Sequence, residues 1–258
     1  VRAFVLYGGG GPERPRRNIE PPAWIDWNFW CGPAPLRPFN SEPDGSGGGI
    51  HPRGFRQYLD YANGILGDWG VHWLDQILWI TGERAPRTVM SIGGRPVKGP
   101  PVLTETEQTS DAPDHQCAVF EFEPFTVSWE HRLFAGNNAE KGENVGCYFY
   151  GTEGTLHLGW QSGWTFYPAD SRKPTIHEPA RLNAPDHQNI RELWADFIGA
   201  IREQRRPVSD IAEIHLATNM CLLAMISMKL RRSIRWNAER EVIENDPIDV
   251  AHARLEDL

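Results

Sequence analysis

The stretch Gly67-Asp68-Trp69-Gly70-Val71-His72 carries the residue types best suited to chemistry. Asp68 and His72 are four positions apart, so on a helix their side chains emerge on the same face. A histidine in the first turn of a helix feels the positive end of the helix dipole, which favours the neutral imidazole. A neutral imidazole can accept a proton near pH 7, and Asp68 can orient it or tune its charge. The structural alternative is an N-cap aspartate followed by a histidine packed in the core.

Other chemistries find little support in the sequence. Glu130 and His131 are neighbours on a predicted strand and point to opposite faces, so they cannot easily bind one metal ion. The other histidines are scattered and form no H-E-x-x-H pattern, and no G-x-S-x-G elbow is present. The four cysteines form no C-x-x-C pair. We therefore predict no metal site and no nucleophilic cysteine.

A run of glycines, Gly8–Gly11, follows the first predicted strand and resembles a phosphate-binding loop at first sight. Such a loop must open directly into a helix, whose amide end meets the phosphates. Here Pro12 and Pro15 follow, together with Pro21 and Pro22, and prolines at these positions exclude that helix. We predict a plain loop and no nucleotide site.

Composition excludes several classes of partner. The 258 residues include 26 Lys and Arg and 34 Asp and Glu, which gives a net charge of −8. A nucleic-acid binder would need a basic patch, and this charge balance argues against one. No fully apolar run approaches the ~20 residues of a membrane span. The chain has 11 tryptophans, more than core packing requires. Four aromatic side chains near predicted loops could stack on sugar rings: Trp30, Tyr61, Trp69 and Trp164. Core packing is the simpler role for each of them.

Hydrophobic periodicity predicts an α+β fold. The segment Phe125–Leu133 alternates apolar and polar residues, as expected of a strand with one buried face. Further strands are predicted at 1–7, 87–92, 115–122, 145–150, 154–158 and 163–167. Helices are predicted at 64–82, with Asp68 as N-cap and Gly82 as the stop, after Asp186, and after Asp210. Successive strands without helices between them indicate a large, mostly antiparallel sheet with helices packed on one face.

Four segments together resemble the Gfo/Idh/MocA oxidoreductase family. They are WCGPAPLRPFN (30–40), GILGDWGVHWLD (64–75), FYGTEGTL (149–156) and RRPVSDIAEIHLATNMCLL (205–223). The resemblance covers nearly the whole chain, but only the C-terminal α+β half of such proteins. The family's N-terminal Rossmann domain, with its G-x-G-x-x-G loop and E-K-P lysine, has no counterpart here. We therefore expect residues 1–258 to be a single substrate-binding and oligomerisation domain with an internal start at Val1.

The resemblance also implies roles for particular residues. Gly64, Asp68 and His72 match the family's G-x-x-x-D-x-x-x-H stretch, whose Asp and His handle the proton of a substrate hydroxyl. Arg56 and Tyr61 resemble positions that line the sugar pocket, and Trp69 is a third expected substrate-binding residue. NAD or NADP would be bound mainly by a domain outside this sequence. The open, dihydrodipicolinate-reductase-like sheet face would be buried in a homo-oligomer.

The expected activity is that of a sugar or polyol oxidoreductase, and two alternatives stay open. One is an NAD-assisted glycoside hydrolase or lyase that acts through a 3-keto intermediate. The other is a non-catalytic module that binds carbohydrate or assembles oligomers. The four cysteines could form two disulfides, but buried free thiols are the simpler interpretation, which favours a reducing compartment and makes the cytoplasm the default location. The periplasm or export is the alternative, because members of the family occur on both sides.

Overall fold

The computed structural model describes residues 1–42, 48–136, 143–181 and 190–244. Its strands are β1 (Arg2–Leu6), β2 (Arg16–Arg17), β3 (Thr88–Gly94), β4 (Glu107–Gln108), β5 (His115–Glu121), β6 (Thr126–Arg132), β7 (Val145–Gly151), β8 (Gly154–Gly159), β9 (Trp164–Pro168), β10 (Ile176–Glu178), β11 (Ile234–Asn237) and β12 (Val242–Glu244). Its helices are α1 (Trp27–Cys31), α2 (Val71–Thr81), α3 (Ile190–Glu203) and α4 (Ile211–Leu230). The predicted strands and helices are all present, with shifts of a few residues at their ends.

Ten strands form one large sheet in the order β10-β9-β8-β7-β1-β6-β5-β3-β11-β12. All pairs in it are antiparallel except β1 with β6, where Val5 lies opposite His131. On its other side β1 pairs antiparallel with β7. Strands β2 and β4 form a separate two-stranded ribbon. The mostly antiparallel α+β architecture predicted from the sequence is confirmed.

The core lies between one face of the sheet and the helices α2 and α4. Trp73 and Ile77 from α2 meet Met220 from α4, and all three are almost completely buried. From the sheet, Phe120 and Trp129 complete this layer. Burial of each such side chain contributes roughly 1.5–3 kcal/mol. This layer fixes α2, and with it the residues at the start of that helix.

The opposite face of the sheet is open over β3 and β5, whereas over β1 and β7 it is covered, with Phe4, Leu6 and Tyr148 buried. Met90 and Val119 lie opposite each other on β3 and β5, and Ile92 lies two residues along β3. Their exposed fractions are 37%, 47% and 60%. The predicted open-faced sheet is therefore present.

Helix α4 begins directly after Asp210, as the sequence predicts. Asp210 caps its start, since its side chain accepts a hydrogen bond from the Ala212 N–H. Among the described residues α4 is long and apolar enough to cross a membrane, although the sequence shows no uninterrupted apolar run of that length. The buried residues of α4 pack on α2 and β3, as those of a core helix do.

The predicted helix over 64–82 is present from residue 64, but Asp68 does not have the predicted position at its N-cap. Residues 64 and 65 are already helical, and Leu66–Gly70 forms a π-helical turn before α2 begins. Asp68 is therefore inside the helix and is not its N-cap. Gly82, with φ of 73°, ends α2 as predicted, because its N–H bonds to the Leu78 carbonyl. A π turn widens the helix locally and is often found at functional sites.

Helix α3 does not lie on the core in the described part of the chain. Its apolar stripe predicts a buried face, yet Trp194 is 58% and Ile201 63% exposed, and Ala200 is its buried residue. The described residues offer no surface opposite this stripe. The predicted cap Asp186 lies outside the described residues.

Candidate active site

The π turn and the first turn of α2 bring together three of the predicted site residues. Asp68 and Trp69 belong to the π turn, and His72 follows in α2. The ring centroids of Trp69 and His72 are 5.9 Å apart. The end of β1 adds Tyr7, whose ring meets that of Trp69 edge-on at 6.1 Å. The sheet thus supports one side of this group, and the helix supports the other.

His72 is held in a state suited to accepting a proton. Burial by its neighbours lowers the pKa of His72 below its ordinary value, while the negative charges of Asp68 and Asp75 oppose this effect. The imidazole is therefore neutral at pH 7. This is the protonation state inferred from the sequence, and burial is the largest cause of the lowered pKa. The His72 side chain is nevertheless exposed to solvent, and within the described residues its ring makes no hydrogen bond.

Asp68 forms an ion pair with Arg56. The Arg56 Nε lies 2.9 Å from the Asp68 Oδ1, and both side chains are about one-third exposed. The Arg56 guanidinium also lies over the Phe55 ring at 5.4 Å. Burial, followed by the nearby Asp68 charge, raises the pKa of Tyr7 to about 12. A cation and a neutral phenol thus flank the carboxylate of Asp68.

Among the described residues, Tyr61 makes no contact with His72. Its hydroxyl donates to the Pro35 carbonyl oxygen at 2.8 Å and accepts from the Arg37 N–H at 3.3 Å. Its ring packs against Trp30 at 5.3 Å, within an aromatic cluster formed by the long loop before α2. The polar groups of Tyr61 thus have partners in that loop. Its predicted role in substrate binding stays a prediction, and so does that of Trp30.

Trp160 is a residue of the site that the sequence did not single out. It occupies the turn between β8 and β9, and its ring centroid lies 4.9 Å from that of Trp69 and 5.9 Å from that of His72. Its backbone N–H donates to the Glu143 Oε2 at 3.2 Å. The available signal was the glycine-bounded turn Gly159–Gly163, which places an indole at the tip of a hairpin. Trp164, on β9 itself, lies beyond that turn.

The described residues do not form a dinucleotide site. No helix follows Gly8–Gly11 there; the chain runs through a loop into β2, as predicted. These glycines have a packing role instead, because a Cβ at Gly10 would lie 2.0 Å from the Leu133 carbonyl oxygen. Within the same residues, no group of three or more His, Cys, Asp or Glu side chains comes together as a metal site would require. We assign no cofactor ligand to this part of the chain.

A groove of about 990 Å³ lies at the other end of α2, around Gly82 and the first turns of α4. Its His215 and Glu241 form an ion pair at 2.7 Å, and both are about half exposed. Helix α2 spans 11 residues, so the groove is roughly 16 Å from His72. We place the candidate site at His72, where burial, charge and aromatic rings converge.

The site and fold together define an α+β domain that presents a neutral histidine and a paired aspartate beside an open, mostly antiparallel sheet. The model of the oxidoreductase family, C-terminal alpha/beta domain, matches residues 11–254. The chain therefore belongs to the Gfo/Idh/MocA oxidoreductase family and corresponds to its C-terminal domain. A comparison with curated proteins finds no match.

Solved structures share this fold at low sequence identity. An oxidoreductase domain protein from Kribbella flavida is 18% identical, with a TM-score of 0.57 over 90% of this chain and 56% of that one. A levoglucosan dehydrogenase in complex with NADH and levoglucosan is 16% identical, with a TM-score of 0.56 over 91% and 57%. An NAD-binding protein from Listeria innocua is 16% identical, with a TM-score of 0.51 over 91% and 54%. The chain thus spans little more than half the length of these proteins.

Proposed function

We propose that this chain is the substrate-handling domain of an NAD(P)-dependent sugar or polyol oxidoreductase, in which His72 accepts the proton of a substrate hydroxyl. The observation that carries the proposal is a solvent-exposed imidazole, set between Trp69 and Trp160, with a lowered pKa and no hydrogen-bond partner among the described residues. Such a group can take a proton at pH 7 from a hydroxyl within hydrogen-bond reach. The family membership supports the reaction class, and the levoglucosan complex of one relative supports a carbohydrate substrate.

Each neighbour of His72 has a distinct task in this proposal. The carboxylate of Asp68 stabilises the imidazolium that forms when His72 takes the proton. Arg56 holds Asp68 in place through the 2.9 Å ion pair and would itself meet substrate hydroxyls on its exposed side. Trp69 forms an apolar wall beside His72. A nicotinamide cofactor, when bound, supplies the hydride acceptor, and we attribute its binding mainly to residues outside this chain.

The domain would also assemble through the open sheet face. Met90, Ile92 and Val119 form an exposed apolar patch there, and patches of this kind mark interaction surfaces. A symmetric pair of such faces would bury the patch in a homo-oligomer. Light scattering on the protein and on Ile92→Lys tests this, with dissociation of the variant as the expected result. A wild-type protein that is monomeric at high concentration would contradict it.

The central test is reduction of NAD⁺ or NADP⁺ by a form of the protein that includes its cofactor-binding residues, followed by absorbance, with a panel of sugars and polyols. We expect turnover with at least one of them, and a loss of about 10²- to 10⁴-fold in kcat/KM for His72→Gln. His177→Gln on β10 is the matched control and should keep full activity. Release of nitrophenol from nitrophenyl glycosides without net NADH would instead indicate glycoside cleavage. Binding without either reaction would indicate a non-catalytic module.

A further inference from the structure

The rings of Trp69, His72 and Trp160 meet like three faces of a corner. The angle between the ring planes is 68° for Trp69 and His72, 69° for Trp69 and Trp160, and 61° for His72 and Trp160. The three centroids lie 4.9–5.9 Å from one another. Both indoles pack on the edge of the core, where Trp160 meets Trp73 at 6.2 Å between ring centroids, and both remain partly exposed.

The backbone that carries each indole is anchored. Glu143 accepts the backbone N–H of Trp160 and contacts the Ser162 hydroxyl, so one carboxylate holds the turn. The turn also closes on itself through the Gly159 N–H and the Gly163 carbonyl. Trp69 is fixed by the edge of the Tyr7 ring and by the π turn. Walls that are already in place lose little entropy when a ligand binds.

The indole rings of Trp69 and Trp160 favour a ligand that has a flat apolar face. The flat apolar face of an indole suits the C–H face of a sugar ring, on which several C–H groups point the same way. An open-chain polyol has no such face, because its carbon chain turns freely and exposes hydroxyls on all sides. A ring stacked on an indole also holds its hydroxyls in fixed directions, which proton transfer to His72 requires.

We propose that Trp69 and Trp160 form a stacking platform for a ring-form sugar and present one ring hydroxyl to His72. The inference deepens the proposed function and rests on it for the role of His72. The platform makes cyclic sugars better ligands than the open-chain polyols of the same carbon number, and Trp160 is the residue that sets this preference.

Binding measured without turnover tests the platform directly. The probes are methyl pyranosides of glucose, galactose, mannose and xylose and the corresponding alditols, followed by saturation-transfer NMR and by titration. We expect at least one pyranoside to bind, with saturation concentrated on the C–H protons of one ring face. Trp160→Leu should weaken this binding roughly tenfold, and Trp160→Tyr, which keeps an aromatic face, should restore most of it. Trp24→Leu, an exposed indole of the loop cluster, is the control and should bind as the wild type does.

The outcomes separate the platform from the proposed function. Binding of pyranosides that depends on Trp160, without any NAD(P)-linked oxidation, would refute the function and leave the platform standing. Oxidation in which alditols serve as well as pyranosides would refute the platform alone. Absence of pyranoside binding, or binding that Trp160→Leu leaves unchanged while its near-ultraviolet circular dichroism shows a folded protein, would also overturn the platform.

Discussion

His131 makes the stability of this domain depend on pH in a way that one substitution can isolate. Its side chain is completely buried on β6, where Nδ1 accepts the indole N–H of Trp129 at 3.2 Å. Its Nε2 lies 3.4 Å from the Pro113 carbonyl oxygen. Burial, only partly opposed by that carbonyl, lowers the pKa of His131 from 6.5 to about 3. Ala112, which precedes Pro113 in the chain, lies against Gly64 at the start of the site helix.

The magnitude follows from the two pKa values. Below pH 6.5 the unfolded chain takes up a proton at His131 that the folded chain refuses until about pH 3. The free energy of unfolding therefore falls as the pH decreases through this window, by at most 1.36 kcal/mol per pH unit for one proton. Between pH 7 and pH 5 the loss from His131 amounts to about 2 kcal/mol.

Urea unfolding at pH 7, 6 and 5, followed by circular dichroism, measures this loss. His131→Gln is the comparison, because its amide can accept from Trp129 and donate to Pro113 without titrating. Other titrating groups contribute equally to both proteins, so the difference between the two pH profiles isolates His131. We expect the wild type to lose about 2 kcal/mol more than the variant. Parallel profiles would show that His131 is protonated or solvated in the folded state, and would refute the reasoning.

Three further predictions concern the surroundings of the site. Arg56→Gln removes the partner of Asp68; because the pair is partly exposed, we expect a stability change below about 1 kcal/mol in thermal denaturation but a clear fall in kcat/KM. Trp73→Phe removes a buried indole N–H that has no acceptor among the described residues, so urea unfolding should show unchanged or increased stability. Trp73→Ala, which also removes the buried ring, should lose about 3–5 kcal/mol of stability. Gly163→Ala places a Cβ 2.1 Å from the Glu178 carbonyl oxygen at a φ of 75°, so we expect a loss of about 1–3 kcal/mol, and an unchanged midpoint would contradict this geometry.

Periodicity predicted the strands well because one face of the sheet is buried and the other is not. The alternation over Phe125–Leu133 appears in the structure as buried Val127, Trp129 and His131 between more exposed neighbours. The parallel pairing of β1 with β6 was beyond local reasoning, since it joins residues about 126 positions apart. Helix α3 shows what periodicity cannot predict. Its apolar stripe indicates that one helix face packs against a partner, but it does not indicate where that partner lies.

The site was predictable where it is local in sequence. The spacing of Asp68 and His72 identified a shared helix face, but the π turn was not visible, so Asp68 was assigned as a cap. Arg56 was a candidate on resemblance, and its contact with Asp68 needed the folded chain. Trp160 was missed because its contact with His72 spans 88 positions and the residue is one indole among 11.

The pH dependence of kcat/KM for a sugar substrate tests the role of His72 most directly. A general base must be deprotonated in the free enzyme, and burial lowers the pKa of His72 from its ordinary value of 6.5. We therefore predict a plateau from pH 8 to below pH 6.5 and then a fall of about tenfold per pH unit. His72→Gln should lower the plateau and abolish this acidic limb, with His177→Gln unchanged. A wild-type limb above pH 7, or a His72→Gln variant with the same profile and plateau, would contradict the account.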